Sequence, residues 1–506
     1  MSSRGVVAAG HPLTAEAGAS VLREGGNAVD AAVAAAVASF PVEFALTGLG
    51  AGGFMIVKGP GSSAVVIDFF VAVPGRGGHE LGEELVPVPV HFDASTTQIF
   101  NAGAASCGVP GTAAGLEMAL DRFGSVPMAE LVGSGVRLAR EGAPLNSQQA
   151  YVLRILEPIY TATAEARAIY APRGRILREG EEVHDPDLAD ALERYGAEGA
   201  ASIYSDEVPR AVEEYVCSRG GILSAADMEA YRPIPREPVG AAYGGHEILT
   251  NPPPSAGGIL IAYCLELLER LGREPGPVEL AAVMDAANRA RGEGFAENLE
   301  QVGFAEQFLS EESLNGALGG GDRLGSTTHL AVMDQAGLCA SVTCSNGTGS
   351  GMIVPGTGIH LNNMLGEEDL NPLGFHQAEP GVRVSSMMSP TLILREGEVV
   401  AGLGSAGSNR IRSAVLQTTL NLLAGRLGPQ SAVDAPRIHL EGGLLQSEPG
   451  VDSAALGRLE EDGQEVFRWT ERNLFFGGVQ VVTRDRDSGR LGGGGDPRRG
   501  GAVAYA

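Results

Sequence analysis

The run Ala28-Val29-Asp30-Ala31-Ala32-Val33-Ala34-Ala35-Ala36-Val37-Ala38-Ser39 constrains this chain more than any other segment. Alanine favours helix, and the run is long enough for about three turns. Its apolar residues cover every face rather than one stripe. A helix of that kind lies between layers, not on a surface. A first helix precedes it, with Leu13, Ala17, Val21 and Leu22 at helical spacing, and Gly25-Gly26-Asn27 ends that helix. The chain must therefore supply structure on both sides of residues 28–39.

Strand-like runs are available to do so. Apolar stretches over 54–57, 64–70, 239–250, 328–334, 338–344, 391–396, 399–403, 479–483 and 503–505 read as strands. Helices are expected over 112–122, 128–140, 259–271, 277–292 and 412–423, and residues 146–240 alternate helical runs with polar turns. Strands dominate beyond residue 327. They meet at short turns such as Asp334-Gln335-Ala336-Gly337, which predicts antiparallel pairing and an α+β class. At 506 residues the chain exceeds one ordinary core, so two large units are expected. No internal repeat is present.

Charge and composition exclude several functions. A net charge of −26 argues against nucleic acid as a partner, because phosphate contacts need clustered Lys and Arg. The longest weakly polar stretch, Ala31 to Val42, is too short for a membrane span and contains Pro41. Met1-Ser2-Ser3-Arg4 is followed by domain-like sequence with no apolar signal region. Cys107, Cys217, Cys264, Cys339 and Cys344 are odd in number and lack metal-type spacing, so they read as reduced and structural. A cytoplasmic protein is expected. The cluster Gly48-Leu49-Gly50-Ala51-Gly52-Gly53 follows a helix rather than a strand, which is the wrong order for a dinucleotide loop. No cofactor or metal is expected.

The chemistry points to Gly325-Ser326-Thr327-Thr328-His329. The Gly-rich leader Gly319-Gly320-Gly321-Asp322-Arg323-Leu324 precedes it, and the strand-like Leu330-Ala331-Val332-Met333 follows. Such a cluster can simply open a strand. It also suits a self-cleaving precursor. If the Ser326–Thr327 bond breaks, Thr327 gains a free amine beside its own hydroxyl, so one residue holds nucleophile and base. An α-amine has a reference pKa of about 7.7–8.0, so a neutral fraction exists near pH 7.

The rest of the chain favours the second reading. Glu24-Gly25-Gly26-Asn27-Ala28-Val29-Asp30, Gly52-Gly53-Phe54-Met55, Val109-Pro110-Gly111-Thr112 and Pro252-Pro253-Pro254-Ser255-Ala256-Gly257-Gly258 occur before residue 327. Leu361-Asn362-Asn363, Ser385-Ser386-Met387-Met388-Ser389-Pro390-Thr391, Gly404-Ser405-Ala406-Gly407-Ser408-Asn409-Arg410, Ala435-Pro436-Arg437 and Asp496-Pro497-Arg498 occur after it. In this order they resemble the γ-glutamyltransferase (γ-glutamyltranspeptidase) family of N-terminal-nucleophile hydrolases, over nearly the whole chain. The resemblance implies a four-layer αββα sandwich with two antiparallel sheets between helical layers. It implies autocatalytic cleavage of a zymogen into a large subunit, 1–326, and a small subunit, 327–506, that stay together as one αββα unit. The implied partner is a small-molecule γ-glutamyl or other acyl amide, as in glutathione metabolism.

The same resemblance assigns roles. Thr327 matches the nucleophile, and Ser345 stands where the family usually has Thr. Gly407 and Ser408 match the pair whose backbone N–H groups form the oxyanion hole. Ser385 and Ser386 match serines that bind the substrate's α-carboxylate, although Met387-Met388 holds one more residue than the commonest form. Asn346 matches a polar contact to that carboxylate. For Glu367, Glu368 and Asp369 two readings stand: a receiver for the substrate ammonium, or an acidic surface turn. His329 is expected to be structural. One departure matters. Members that use γ-glutamyl donors have Asp-Phe-Arg where this chain has Asp68-Phe69-Phe70. Phe70 cannot make the directional Arg–carboxylate contact, which leaves compensation to Arg76 or Arg383, or else a less polar acyl group of the cephalosporin-acylase-like kind. A non-catalytic homologue acting as a binding or structural protein is the remaining alternative. The short connection from Asn363 to Ser385 predicts an open pocket with water as a competent acceptor.

Overall fold

The alanine-rich run folds into a helix of fifteen residues, Ala28–Val42, and every one of them is buried. The structure, a computed structural model, describes residues 4–82, 84–91, 97–292, 294–299, 301, 303–310 and 327–506. The Gly-rich leader over 311–326, with Ser326, lies outside them.

Strands of the two main sheets are numbered in chain order, with the helices that cover them. The first unit contributes β1 (Gly5–Ala9), α1 (Pro12–Glu24), α2 (Ala28–Val42), β2 (Gly52–Lys58), β3 (Val65–Phe69), β4 (Ile234–Arg236), β5 (Val239–Tyr243), β6 (His246–Thr250), α3 (Ala256–Leu271) and α4 (Pro277–Ala290). After residue 327 come β7 (Thr328–Asp334), β8 (Cys339–Ser345), β9 (Thr391–Arg395), β10 (Glu398–Ala406), α5 (Arg410–Leu423), β11 (Gly478–Arg484), β12 (Leu491–Gly495) and β13 (Ala502–Tyr505). Sheet I has seven strands in the order β13-β1-β7-β8-β2-β3-β4, and sheet II has six in the order β12-β11-β10-β9-β6-β5. Every pairing within them is antiparallel.

Alternation along the strands builds the layers. Ala8, Ile56, Ala331 and Met333 of sheet I share one core with Leu403, Val479 and Val481 of sheet II. The intervening residues Val7, Met55, Val57, Leu330 and Val332 face the other way and pack with Val33 and Val37 of α2. Helices α3 and α5 cover sheet II from outside. The result is helix, sheet, sheet, helix. Small side chains let α2 lie close against β7 and β8. A capping box fixes its start: Asn27 Oδ1 accepts from the Val29 amide at 2.8 Å, and Asp30 Oδ2 accepts from the Asn27 amide at 2.8 Å.

Local expectations were refined in four places. The helix expected over 128–140 is two, Met128–Leu131 and Gly133–Glu141, broken at Val132. The strand expected over 239–250 is a hairpin, because Gly244 and Gly245 turn it with φ of 56° and 74°. The polar stretch beginning at 305 starts inside the helix Phe304–Phe308, where Phe308 packs on Phe295 at 5.2 Å. Strands β1, β4 and β12 of the main sheets have no counterpart among the strands expected from the sequence. All five cysteines are unpaired. Among the described residues no helix is long and apolar enough to cross a membrane.

Candidate active site

Thr327 lies at the mouth of β7, a central strand of sheet I. Residues 327, 329, 331 and 333 face the space between the sheets, so strand alternation aims Thr327 inward. Its Oγ1 donates to Ser345 Oγ at 3.5 Å, and Ser345 Oγ accepts from the Gly347 amide at 3.0 Å. Ser345 ends β8, the strand beside β7, so sheet register brings the two hydroxyls together.

The next residue faces the opposite way. Thr328 Oγ1 donates to Glu43 at 2.5 Å, and Thr14 Oγ1 donates to the same carboxylate at 2.8 Å. Glu43 caps α2, and burial raises its pKa while these two hydroxyls oppose the shift. In the sequence its only signal is a lone carboxylate at the end of an apolar helix. His329 lies between the sheets. Its Nδ1 is hydrogen-bonded to Thr343 Oγ1 at 2.8 Å, and burial lowers its pKa to about 3. It is a neutral packing residue at physiological pH.

A narrow cavity adjoins Thr327 and Ser345. Phe70, Met364, Leu370 and Met387 supply apolar walls, and Glu367, Ser386 and Ser408 supply polar groups. Thr327 is only 4% exposed. The site is thus more enclosed than the short 363–385 connection implied, because that connection folds over it as two short 3-10 turns, Met364–Gly366 and Glu368–Leu370. Phe70 is fully buried and stacks on Phe54 at 5.4 Å.

Gly407 and Ser408 form the turn from β10 into α5, with φ of 123° and 50°. Ser408 and the first-turn residue Ile411 both line the Thr327 cavity. The Ser-Ser pair divides. Ser386 lines the cavity, with its Oγ accepting from the Met388 amide at 3.0 Å. Ser385 lines an adjoining pocket with Arg291, Asp369 and Met387.

The acidic run also divides. Glu367 is buried in the Thr327 cavity, and its Oε1 has no hydrogen-bond partner among the described residues. Burial, and then the nearby Asp369 charge, push its pKa up to about 8. Asp369 accepts from Ser408 Oγ, and burial raises its pKa to about 6. Glu368 is exposed. Asn346 is buried, but its Nδ2 donates to the His360 carbonyl at 3.3 Å, and Gly347 rather than Asn346 lines the cavity. The two compensating arginines lie elsewhere. Arg383 pairs with Asp68 at 3.3 Å and covers the Tyr231 ring at 4.4 Å, and Arg76 is exposed.

A two-sheet sandwich of this build, with a threonine leading a central strand, defines an N-terminal-nucleophile hydrolase. Within that class the chain belongs to the gamma-glutamyltranspeptidase family, which it matches over residues 14–506. It is therefore an enzyme of the hydrolase and transpeptidase kind that this family comprises. It is 32% identical over 491 residues to the acylase ACY 1 proenzyme of Pseudomonas sp. strain SE83, across 92% of this chain and 88% of that one. It is 30% identical over 542 residues to the glutathione hydrolase proenzyme of Bacillus subtilis strain 168, across 99% and 91%. A crystal structure of cephalosporin acylase from Bacillus halodurans superposes with a TM-score of 0.82 at 26% identity, covering 99% of this chain and 96% of that one.

Proposed function

We propose that the protein is a self-processing amide hydrolase and acyltransferase that works through a Thr327 acyl-enzyme. The observation that carries this is the inward-facing Thr327 hydroxyl, 3.5 Å from Ser345 Oγ and in one cavity with Ser408. Cleavage of the Ser326–Thr327 bond frees the α-amine of Thr327. That amine takes the proton from Oγ1 as the oxygen attacks the amide carbonyl. Backbone N–H groups of the 407–408 turn hold the oxyanion, each worth roughly 2.7–4 kcal/mol. The C–N bond breaks, the leaving amine takes the proton, and an ester to Thr327 remains. Water or an acceptor amine then attacks that ester and regenerates the hydroxyl. Ser345 donates to or accepts from Oγ1 throughout.

For the acyl group, γ-glutamyl or a related amino-acyl chain is the first reading. The buried Glu367 carboxyl, with an oxygen that has no hydrogen-bond partner among the described residues, suits a substrate ammonium. Phe70 supports a second reading, an acyl group without an α-carboxylate, and some relatives are named as acylases rather than glutathione hydrolases. The unpaired cysteines support a cytoplasmic location. Two measurements test the proposal. Denaturing electrophoresis should show two polypeptides, the smaller starting Thr-Thr-His-Leu, and Thr327→Ala should leave one inactive chain. Assay of γ-glutamyl-p-nitroanilide beside glutaryl and aliphatic acyl amides should then separate the two donors. An active single chain would overturn the mechanism.

A further inference from the structure

The turn carrying Gly407 and Ser408 is sterically demanding, since Ser408 has a Cβ yet holds φ at 50°. The side chains of Ser408 and Asn409 are tethered by two carboxylates, one half-buried and one buried. Ser408 Oγ donates to Asp369 Oδ2. Asn409 Nδ2 donates to Glu441 Oε1 at 2.8 Å. Both carboxylates come from elements remote in sequence: Asp369 from the turns that fold over the cavity, Glu441 from the end of the strand Ile438–Glu441.

Glu441 is itself fixed. His439 Nε2 lies 3.0 Å from its Oε2, Arg412 pairs with it at 3.4 Å, and Arg291 at 3.6 Å. Arg412 Nη1 also donates to Asn288 Oδ1 at 2.9 Å, which ties α4 to α5. His439 Nδ1 meets Ser413 Oγ at 2.7 Å in the first turns of α5. Ser413, His439 and Glu441 thus repeat the hydrogen-bond order of a hydrolytic triad. Ser413 is 5% exposed and faces Met284 Sδ at 3.8 Å, so the group braces α5 and does not meet a substrate.

We propose that Asp369 and Glu441 are positioning residues for the amide chemistry. They hold Ser408 and Asn409, and so keep the backbone N–H groups of the turn aimed at the carbonyl that Thr327 attacks. The proposal rests on the reading of the 407–408 turn as the oxyanion site. It assigns Asp369 to the turn and leaves the substrate ammonium to Glu367.

Transition-state geometry should suffer when either clamp is lost, and ground-state binding should not. In processed enzyme, Asp369→Ala and Glu441→Leu should lower kcat about 10- to 100-fold with KM changed less than about twofold. Asp369→Asn and Glu441→Gln keep an acceptor oxygen and should recover most of that loss. Ser408→Ala should lose as much as Asp369→Ala, and the double variant no more than either alone. If Glu441→Leu does not fold, Glu441→Gln and the Asp369 series carry the test. A raised KM with unchanged kcat in Asp369→Ala would make Asp369 a substrate ligand and overturn the proposal. Fully additive losses in the Asp369/Ser408 pair would overturn it too. A wild-type protein inert toward every amide would instead remove the underlying reading of the site.

Discussion

At the scale of single residues, Glu367 is the group whose behaviour distinguishes donors. Its pKa of about 8 means that the carboxyl is largely protonated at neutral pH in the unliganded site. A donor with an ammonium needs the ionised form. For such a donor, kcat/KM relative to that of an acyl amide without an ammonium should rise as pH increases through about 8. The ratio cancels the titration of the Thr327 amine, which both donors share. Glu367→Gln should flatten the ratio and lower it about 10- to 100-fold, the range of a charge-assisted hydrogen bond. A ratio independent of pH would mean that Glu367 receives no ammonium. Stability has its own sign. The folded state keeps the proton to about 8 although the ordinary value is 4.5, so Glu367 loses stabilising effect as pH rises across that window. Much at this scale was legible in the chain. Thr327, Ser345, Gly407, Ser408 and Phe70 could be nominated from motifs. The split between Glu367, Glu368 and Asp369 could not, because adjacent acidic residues differ only in what burial and distant partners do to each.

Among the elements, β7 and β8 were readable because both of their faces are covered, which leaves continuous apolar runs. Strand β1 is five small residues, too short for a pattern, and its place between β7 and β13 gives it its structure. Strand β12 is Leu491 followed by four glycines, the reverse of strand propensity. There the backbone of Pro429 lies so close that a Cβ at Gly494 would sit 2.6 Å from its carbonyl oxygen. Close approach also decides Gly404 of β10. A Cβ there would sit 2.3 Å from His329 Cε1, in the layer between the sheets. Because Thr343 and Ser341 hold His329, the ring has little room to yield. Gly404→Ala should therefore destabilise the protein by about 1–3 kcal/mol and reduce amide turnover by displacing β7. A lower urea midpoint at unchanged slope would show it, and a wild-type midpoint would refute the packing argument.

For the whole molecule, the proposed boundary at residue 327 divides the chain but not the fold. Strand β7 pairs with β1, β8 pairs with β2, and β9 pairs with β6, so each main sheet draws strands from both sides of the boundary. Separating the two would open four strand pairings, β13 with β1, β1 with β7 and β8 with β2 in sheet I and β9 with β6 in sheet II, and expose the core between the sheets. After cleavage, residues 1–326 and 327–506 should co-elute in native size-exclusion chromatography as one unit of 52.1 kDa or a multiple of it, and part only in denaturant. Two separate native peaks would contradict that. Two kinds of information meet in this protein. Helix and strand periodicity, the caps, and a hydroxyl at the mouth of a strand are short-range matters of backbone sterics and neighbour spacing, and the order of residues alone specified them. The enclosure of Thr327, the burial of Glu367, and the clamps from Asp369 to Ser408 and from Glu441 to Asn409 arose on folding. Hydrogen bonds and desolvation depend on which atoms meet in space, and these atoms come from segments tens to hundreds of positions apart.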